Sequence, residues 1–268
     1  MTPVAQNNSI AYETDLRVAE LYDQTETALE DVALIQTLIR KCGPLRILEP
    51  FCGSGRILIP LALAGHELVG LDHSRGMLGR AQAKADQLPA DVRERVTLIE
   101  ADVTSVQWPQ RFDLVILGGN CFYELTTPDQ QERCIASAAE SLCPGGFVYV
   151  DNDHMEGHLD PAWQRPGVRE AFPTGICSDG TRVTSWIETI WYDVPARLVR
   201  FRRRTKLTLP DGEIVEREYI QQKHPVSKGE VESWLIDHGF VAQQIYGAWD
   251  GSPYRGTSER AIFWARKR

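Results

Sequence analysis

Between residues 45 and 153, short apolar runs rich in β-branched residues alternate with longer stretches of helical composition. The runs are LRILEP (45–50), HELVGLD (66–72), VTLIEAD (96–102), FDLVILGG (112–119) and GGFVYVDND (145–153). They lack the polar alternation of a half-exposed strand, so each predicts a strand buried on both faces. The intervening RILIPLALAG, RGMLGRAQAKADQL and TPDQQERCIASAAESL predict helices. Strand, helix, strand repetition implies right-handed crossovers and an α/β fold, a parallel sheet with helices over both faces. Ahead of it, residues 1–44 predict a helical cap. There Ala28, Val32, Ile35 and Leu38 recur at three- and four-residue spacing until Gly43 and Pro44 stop the helix.

After residue 155 the pattern changes. A stretch containing proline and glycine (160–180) leads into TRVTSWIETIWYD, RLVRFRRRTKLTL and EIVEREYIQQ, three β-rich segments. Leu209-Pro210-Asp211-Gly212 is a hairpin signal between the last two. This predicts an antiparallel insertion at about 157–223, a lid or a subunit contact that a homo-oligomer would use. One more helix, SKGEVESWLIDHGF, and two strands, VAQQIYGAW and ERAIFWARK, close the chain. Residues 1–268 thus read as a single domain.

Composition narrows the class. With 268 residues, 43% of them hydrophobic, the chain can bury a core without staples. It has no apolar run of membrane-spanning length, and MTPVAQNNSIAYETD lacks the basic start and apolar stretch of a secretion signal. A soluble cytoplasmic protein is expected. Cys42, Cys52, Cys121, Cys134, Cys143 and Cys177 form no C-x-x-C pair, which predicts reduced core thiols and no metal site. A net charge of −8 weighs against a nucleic-acid partner.

Four features at predicted strand ends carry chemistry. Glu49-Pro50-Phe51-Cys52-Gly53-Ser54-Gly55 ends the first strand, and its glycines let backbone turn tightly and approach a ligand. A dinucleotide loop of G-x-G-x-x-G type would need a third glycine where Leu58 stands, and Glu49 would repel a pyrophosphate. A ligand with a cationic end suits Glu49 better, which disfavours a nicotinamide-dependent reductase. Asp72 ends the second strand, one βαβ unit further on, where a carboxylate accepts from ribose hydroxyls. Asp102 ends the third strand, within reach of an adenine amino group, and Gly118-Gly119-Asn120 ends the fourth. Ligands of open α/β sheets bind along this edge.

With these residues in place the chain resembles the class I S-adenosylmethionine-dependent methyltransferases, through Glu49 to Gly55, Asp72, Asp102 and Pro144-Gly145-Gly146. The resemblance implies a Rossmann-like, seven-stranded, mostly parallel sheet whose antiparallel strand comes from 241–248 and 260–267. It also implies S-adenosyl-L-methionine as cofactor and S-adenosyl-L-homocysteine as product. Glu49, Cys52, Gly53, Ser54 and Gly55 would hold the amino-acid end. Asp72 would take the ribose and Asp102 the adenine, Met77 would pack against the adenine, Tyr22 would close over the cofactor, and His73, Val103 and Gly118 would also bind it. Within the family the chain is most similar to the glycine N-methyltransferase group. Gly119-Asn120-Cys121-Phe122-Tyr123-Glu124-Leu125 resembles its G-N-S-F-x-x-L, and Ser252-Pro253-Tyr254-Arg255-Gly256 its K-P-Y-R-P-G. That group has an arginine for the glycine carboxylate where this chain has Asp153.

Asn120, Asp153, His154 and Tyr254 are therefore the candidates for contact with a small-molecule acceptor or for proton removal, with Asn120 also reaching the cofactor. An amine nitrogen is the favoured acceptor atom; an oxygen acceptor, or a cofactor-binding protein without catalysis, is the alternative. Arg200, Arg202, Arg204 and Lys206 share one face of a predicted strand, and Glu216 and Glu218 fall opposite Lys206 and Arg204. An ion-pair ladder accounts for this basic run better than nucleic acid does. Trp186, Trp191, Tyr192 and Phe201 are expected to pack that sheet on the core or to line the acceptor pocket.

Overall fold

A computed structural model describes residues 16–153 and 160–268. Seven strands form the main sheet: β1 (Arg46–Glu49), β2 (Glu67–Asp72), β3 (Val96–Glu100), β4 (Phe112–Leu117), β5 (Leu142–Asp153), β10 (Phe240–Tyr246) and β11 (Arg260–Lys267). Their spatial order is β10-β11-β5-β4-β1-β2-β3. Pairings from β5 through to β3 are parallel, while β11 runs antiparallel to both β5 and β10. The central strands explain why their sequences read as unbroken apolar runs. Ile47, Leu48, Leu114 and Val115 are fully buried, with helices covering both sides of the sheet.

Those helices are α1 (Leu16–Thr25), α2 (Glu30–Ile39), α3 (Leu58–Leu63), α4 (Arg75–Asp86), α5 (Ala90–Arg93), α6 (Pro128–Ser141) and α7 (Lys228–Asp237). Capping follows local sequence. Ser74 accepts from the Met77 amide at the start of α4, Thr127 from Gln130 at α6, and Ser227 with Glu230 completes a capping box on α7.

A second sheet, β6 (Val168–Ile176), β7 (Arg182–Asp193), β8 (Leu198–Thr208) and β9 (Ile214–Lys223), is wholly antiparallel and lies between β5 and α7 in the chain. It has one strand more than the sequence pattern predicts. Pro173 and Gly175 hide β6, and a register shift between Ala171 and Gly175 accommodates them on an edge strand, where a missing N–H is tolerated. The ladder register is as expected, with Lys206 opposite Glu216 and Arg204 opposite Glu218. Arg204 Nε lies 2.7 Å from Glu218, and Arg202 2.9 Å from Glu188.

The aromatic set departs from its expected packing. Phe201 is buried, but Tyr192 is 46% exposed and Trp191 carries the Arg200 guanidinium on its ring face. Trp186 stands opposite Arg204. A register shift between Thr189 and Trp191 interrupts the β7–β8 ladder beside two of these aromatics. Cys42 is likewise exposed and Cys143 half-buried; the other four thiols are buried, and none of the six is in a disulfide.

The cap and the second sheet meet. Leu21 of α1 is buried with Cys177, Val183 and Leu207, and a Cβ on Gly175 would stand 2.8 Å from Leu21. Among the described residues no helix is long and apolar enough to cross a membrane.

Candidate active site

The carboxyl ends of β1, β2 and β4 open on one cleft, over which α1 is laid. Tyr22, Glu49, Cys52, Gly53, Ser54, Asp72, Met77 and Gly118, all proposed from sequence, line it together with Phe51, Arg56, Ile57, Gly119, Cys121 and Glu124. Gly53 and Gly55 take left-handed backbone angles, φ 52° and 80°, and turn the chain from β1 into α3. Gly70 in β2 matters for a different reason. A Cβ there would meet Cys52 Sγ and Leu58 Cδ1 at 2.7 Å, so its absence lets the loop lie down on the sheet.

Asp72 anchors that loop. Its two oxygens accept from the Gly53 amide at 2.9 Å and the Ser74 amide at 2.8 Å, tying the glycine turn to the first turn of α4. Burial raises its carboxyl above the usual range, opposed by those amide donors. With the His73 amide donating as well, one of its four lone pairs remains for a ligand hydroxyl. His73 Nδ1 lies 3.9 Å from Asp72, outside hydrogen-bond range.

Glu49 is the most demanding group in the cleft. It is buried, the Leu58 amide serves one side of its carboxylate, and Oε2 has no hydrogen-bond partner among the described residues. Burial drives its carboxyl well upward, against the pull of Arg56. A buried acceptor of this kind calls for a donor. The ammonium of an amino-acid moiety would supply charge and hydrogen bond together, so the residues fit S-adenosylmethionine.

Several groups that hold the cap are not evident from sequence. Asp23 accepts from Ser54 Oγ, from Lys84 at 2.8 Å and from Arg80. Burial opposes its ionisation, yet the bonds from Lys84, Ser54 and Arg80 hold its carboxyl below the usual range. Arg56, directly after Gly55, forks onto Asp31 of α2 at 2.8 and 2.6 Å and bonds the Ala28 carbonyl. The only sequence signal for Arg56 is a cation adjoining the glycine loop.

Two of the predicted cofactor-binding residues are not in the cleft lining. Asp102 accepts from the amide and hydroxyl of Thr104 at 2.9 and 2.7 Å, closing the turn after β3, and Val103 is buried in the core.

At the acceptor end, Asn120 has left-handed backbone (φ 60°), and its Oδ1 accepts from the Asp153 amide at 2.8 Å and from Arg260 at 3.1 Å. Asn120 and Asp153 thus stand together as expected, but the Asn120 carbonyl is already occupied. Arg260 also bonds the fully buried Asp151, whose other oxygen accepts from Trp249 at 2.7 Å. Among the described residues, Asp153 Oδ1 and Glu124 Oε2 are buried without hydrogen-bond partners. Tyr254 follows β10, bonds the Ile245 carbonyl through its amide and packs on the core; it is not part of the cleft lining. His154 lies outside the described residues. Among the described residues no group of three or more His, Cys, Asp or Glu is placed to hold a metal ion.

An open parallel sheet with one reversed strand and a glycine-loop cleft at its carboxyl edge defines the class I methyltransferase fold. Residues 47–146 match the methyltransferase domain family. A chain of Geobacillus sp. (strain WCH70), provisionally named a methyltransferase, is 24% identical over 232 residues, covering 84% of this chain and 85% of its own. Among solved structures, the CcbJ methyltransferase of Streptomyces caelestis superposes with a TM-score of 0.64 at 22% identity, over 89% of this chain and 94% of its own. The sugar N-methyltransferase KedS8 of Streptoalloteichus sp. ATCC 53650 does so with 0.68 at 16% identity, over 100% and 97%. The chain therefore has the class I methyltransferase fold, and its residues 47–146 carry the match to the methyltransferase domain.

Proposed function

We propose that the enzyme methylates a nitrogen of a small-molecule amine. S-adenosylmethionine, when bound, supplies an activated methyl on a sulfonium. The chain's contribution is alignment, which supplies roughly 7 to 11 kcal/mol in well-oriented reactions. In this reading Glu49 receives the cofactor ammonium, Asp72 the ribose hydroxyls, and Met77 and Tyr22 close on the remainder, with Asp102 beside the base.

The observation that carries the choice of nitrogen is the pair of unpartnered carboxylate oxygens, Glu124 Oε2 and Asp153 Oδ1, beyond the Gly118-Gly119 corner. Buried carboxylates favour a cationic acceptor over a neutral alcohol. Asp153, where the glycine-methylating group has arginine, opposes an acceptor that carries its carboxylate there. The sugar N-methyltransferase neighbour supports an amine as well.

The test supplies methyl-labelled cofactor with pooled small amines, alcohols and phenols and reads products by mass spectrometry. Label on nitrogen is the expected result. Label confined to oxygen overturns the proposal, and so does tight cofactor binding without formation of S-adenosylhomocysteine.

A further inference from the structure

Two consecutive residues with left-handed backbone, Gly119 at φ 63° and Asn120 at φ 60°, take the chain out of β4 into a single 3-10 turn, Cys121–Glu124. Cys121 and Glu124 form part of the cleft wall. The turn lies off the sheet, so ladder hydrogen bonds do not hold it, and side chains from other elements do. Gln222 of β9 donates to the Thr126 carbonyl at 2.7 Å and accepts from Arg200 Nε of β8 at 2.8 Å. Gln131 of α6 is fully buried; it donates to the Phe122 carbonyl at 3.0 Å and to the carbonyl of His224, just past β9, at 2.9 Å.

A glutamine amide has two N–H groups, and Gln131 places both on these carbonyls. Its Oε1 is left facing His224 Nδ1 at 2.8 Å, which puts the imidazole proton on that nitrogen. Burial pushes His224 down to about 4, so the ring is neutral at neutral pH and the three bonds persist there. Tyr123, between the two cleft residues, adds a tie: its hydroxyl donates to the Asp153 carbonyl at 2.9 Å, and its ring carries the Lys223 ammonium at 4.8 Å. On the α6 side, Gln130 Oε1 accepts from the amide and the hydroxyl of Thr126, both at 2.7 Å.

We infer that Gln222 and Gln131 are positioning residues of the methyl-transfer site: through them the last strand of the second sheet sets where the Cys121–Glu124 wall, and the Glu124 carboxylate with it, stands against the bound cofactor. The inference rests on the proposed methyl-transfer reading and adds the route by which the second sheet acts on that site.

Positioning of this kind acts on the transfer step more than on cofactor binding. Glu49 and Asp72, which that reading gives to the cofactor, are set by β1, β2 and the glycine loop. A wall released from β9 leaves them in place and shifts what meets the methyl group, where a misplacement of about 1 Å can cost about 100-fold in rate.

Gln222→Glu isolates the effect. The carboxylate keeps an acceptor for Arg200, and so keeps β8 and β9 joined, but it has no N–H for the Thr126 carbonyl. Gln131→Met removes the second tie with a side chain of similar length.

The experiment compares the full-length wild type with both variants by hydrogen exchange, by calorimetry with S-adenosylhomocysteine, and by transfer of label from methyl-labelled cofactor to the pooled small amines. In Gln222→Glu, exchange over residues 121–126 should rise about tenfold, the equivalent of one lost hydrogen bond, while exchange over 214–221 stays as in the wild type. Affinity for S-adenosylhomocysteine should stay within about threefold, and label transfer at saturating amine should fall about tenfold or more. Gln131→Met should act in the same direction, and if it does not fold, Gln222→Glu decides alone. Unchanged exchange over 121–126 in Gln222→Glu overturns the inference, as does a fall in transfer matched by an equal fall in cofactor affinity. A wild type that binds no S-adenosylhomocysteine or transfers no label would instead remove the methyl-transfer reading, and the exchange comparison would still decide whether the glutamines hold the wall.

Discussion

The Ser54 hydroxyl, within the glycine loop, donates to the Asp23 carboxylate of the cap helix at 2.5 Å, across 31 residues of chain. The loop that approaches the ligand is therefore also the loop that holds the helix above it. Asp23 further gathers Lys84 and Arg80 from α4, so one half-buried carboxylate links cap, loop and helix.

Replacing Asp23 with Ala should release the cap more than it destabilises the fold. Hydrogen exchange over residues 16–25 should rise, and cofactor affinity should fall about tenfold, since a charge-assisted hydrogen bond contributes about 1.5–3 kcal/mol. Because the folded state lowers the Asp23 carboxyl, its contribution is present above the unfolded-state value of about 3.8 and is lost as pH falls through the folded value. Cap exchange in the wild type should therefore increase on acidification into that window, and in Asp23→Ala it should not respond.

Glu49 should show opposite effects in the free and bound protein. With its carboxyl raised by burial, the residue favours the fold when protonated, and that contribution is lost as pH rises through the folded value. Glu49→Gln should raise the Tm of the free protein at neutral pH. The same variant loses the charge facing the ligand ammonium, so the thermal shift on adding S-adenosylmethionine should shrink. A larger shift in the variant would show that Glu49 does not meet that ammonium.

At Asp72, Ala removes two amide acceptors and the proposed ribose contact together. Cofactor affinity should drop by about 100-fold or more, two bonds to a charged group contributing about 1.5–3 kcal/mol each. Calorimetry checks this directly, and unchanged affinity would place the ribose elsewhere.

Gly70→Ala tests the packing of the loop on β2. A Cβ at 2.7 Å from both Cys52 and Leu58 should destabilise the protein by about 1–3 kcal/mol, the usual range for overpacking. Adding Cys52→Ala should restore part of this loss by removing the sulfur, read as Tm of the double variant.

Arg260→Met leaves Asp151 buried with Trp249 and Tyr149 as its side-chain donors among the described residues. Breaking a buried pair in this way costs about 3–5 kcal/mol. Loss of the Arg260 bond to Asn120 should also loosen the corner after β4, visible as faster exchange of the Asp153 amide.

The main sheet was legible in the sequence because its central strands are buried on both faces and carry that fact as unbroken apolar runs. The cleft was legible because Glu49, the two loop glycines and Asp72 each lie at a strand end, and the βαβ spacing brings strand ends together. Arg260 had no such signal, and Glu124 stands at an unspecified position of the Gly119–Leu125 stretch. Each meets its partners through tertiary docking, which the local pattern does not record. The hairpin turn fixed the ion-pair register, whereas β6 escaped notice because Pro173 and Gly175 interrupt its pattern.

The second sheet leaves the parallel core after Asp153 and returns at α7, and no parallel strand passes through it. Its side chains can change without disturbing the ends of β1 and β2 that hold Glu49 and Asp72. Lineages that inherit this layout can diversify what they modify by rewriting four consecutive strands, and the donor of the transferred group stays the same throughout.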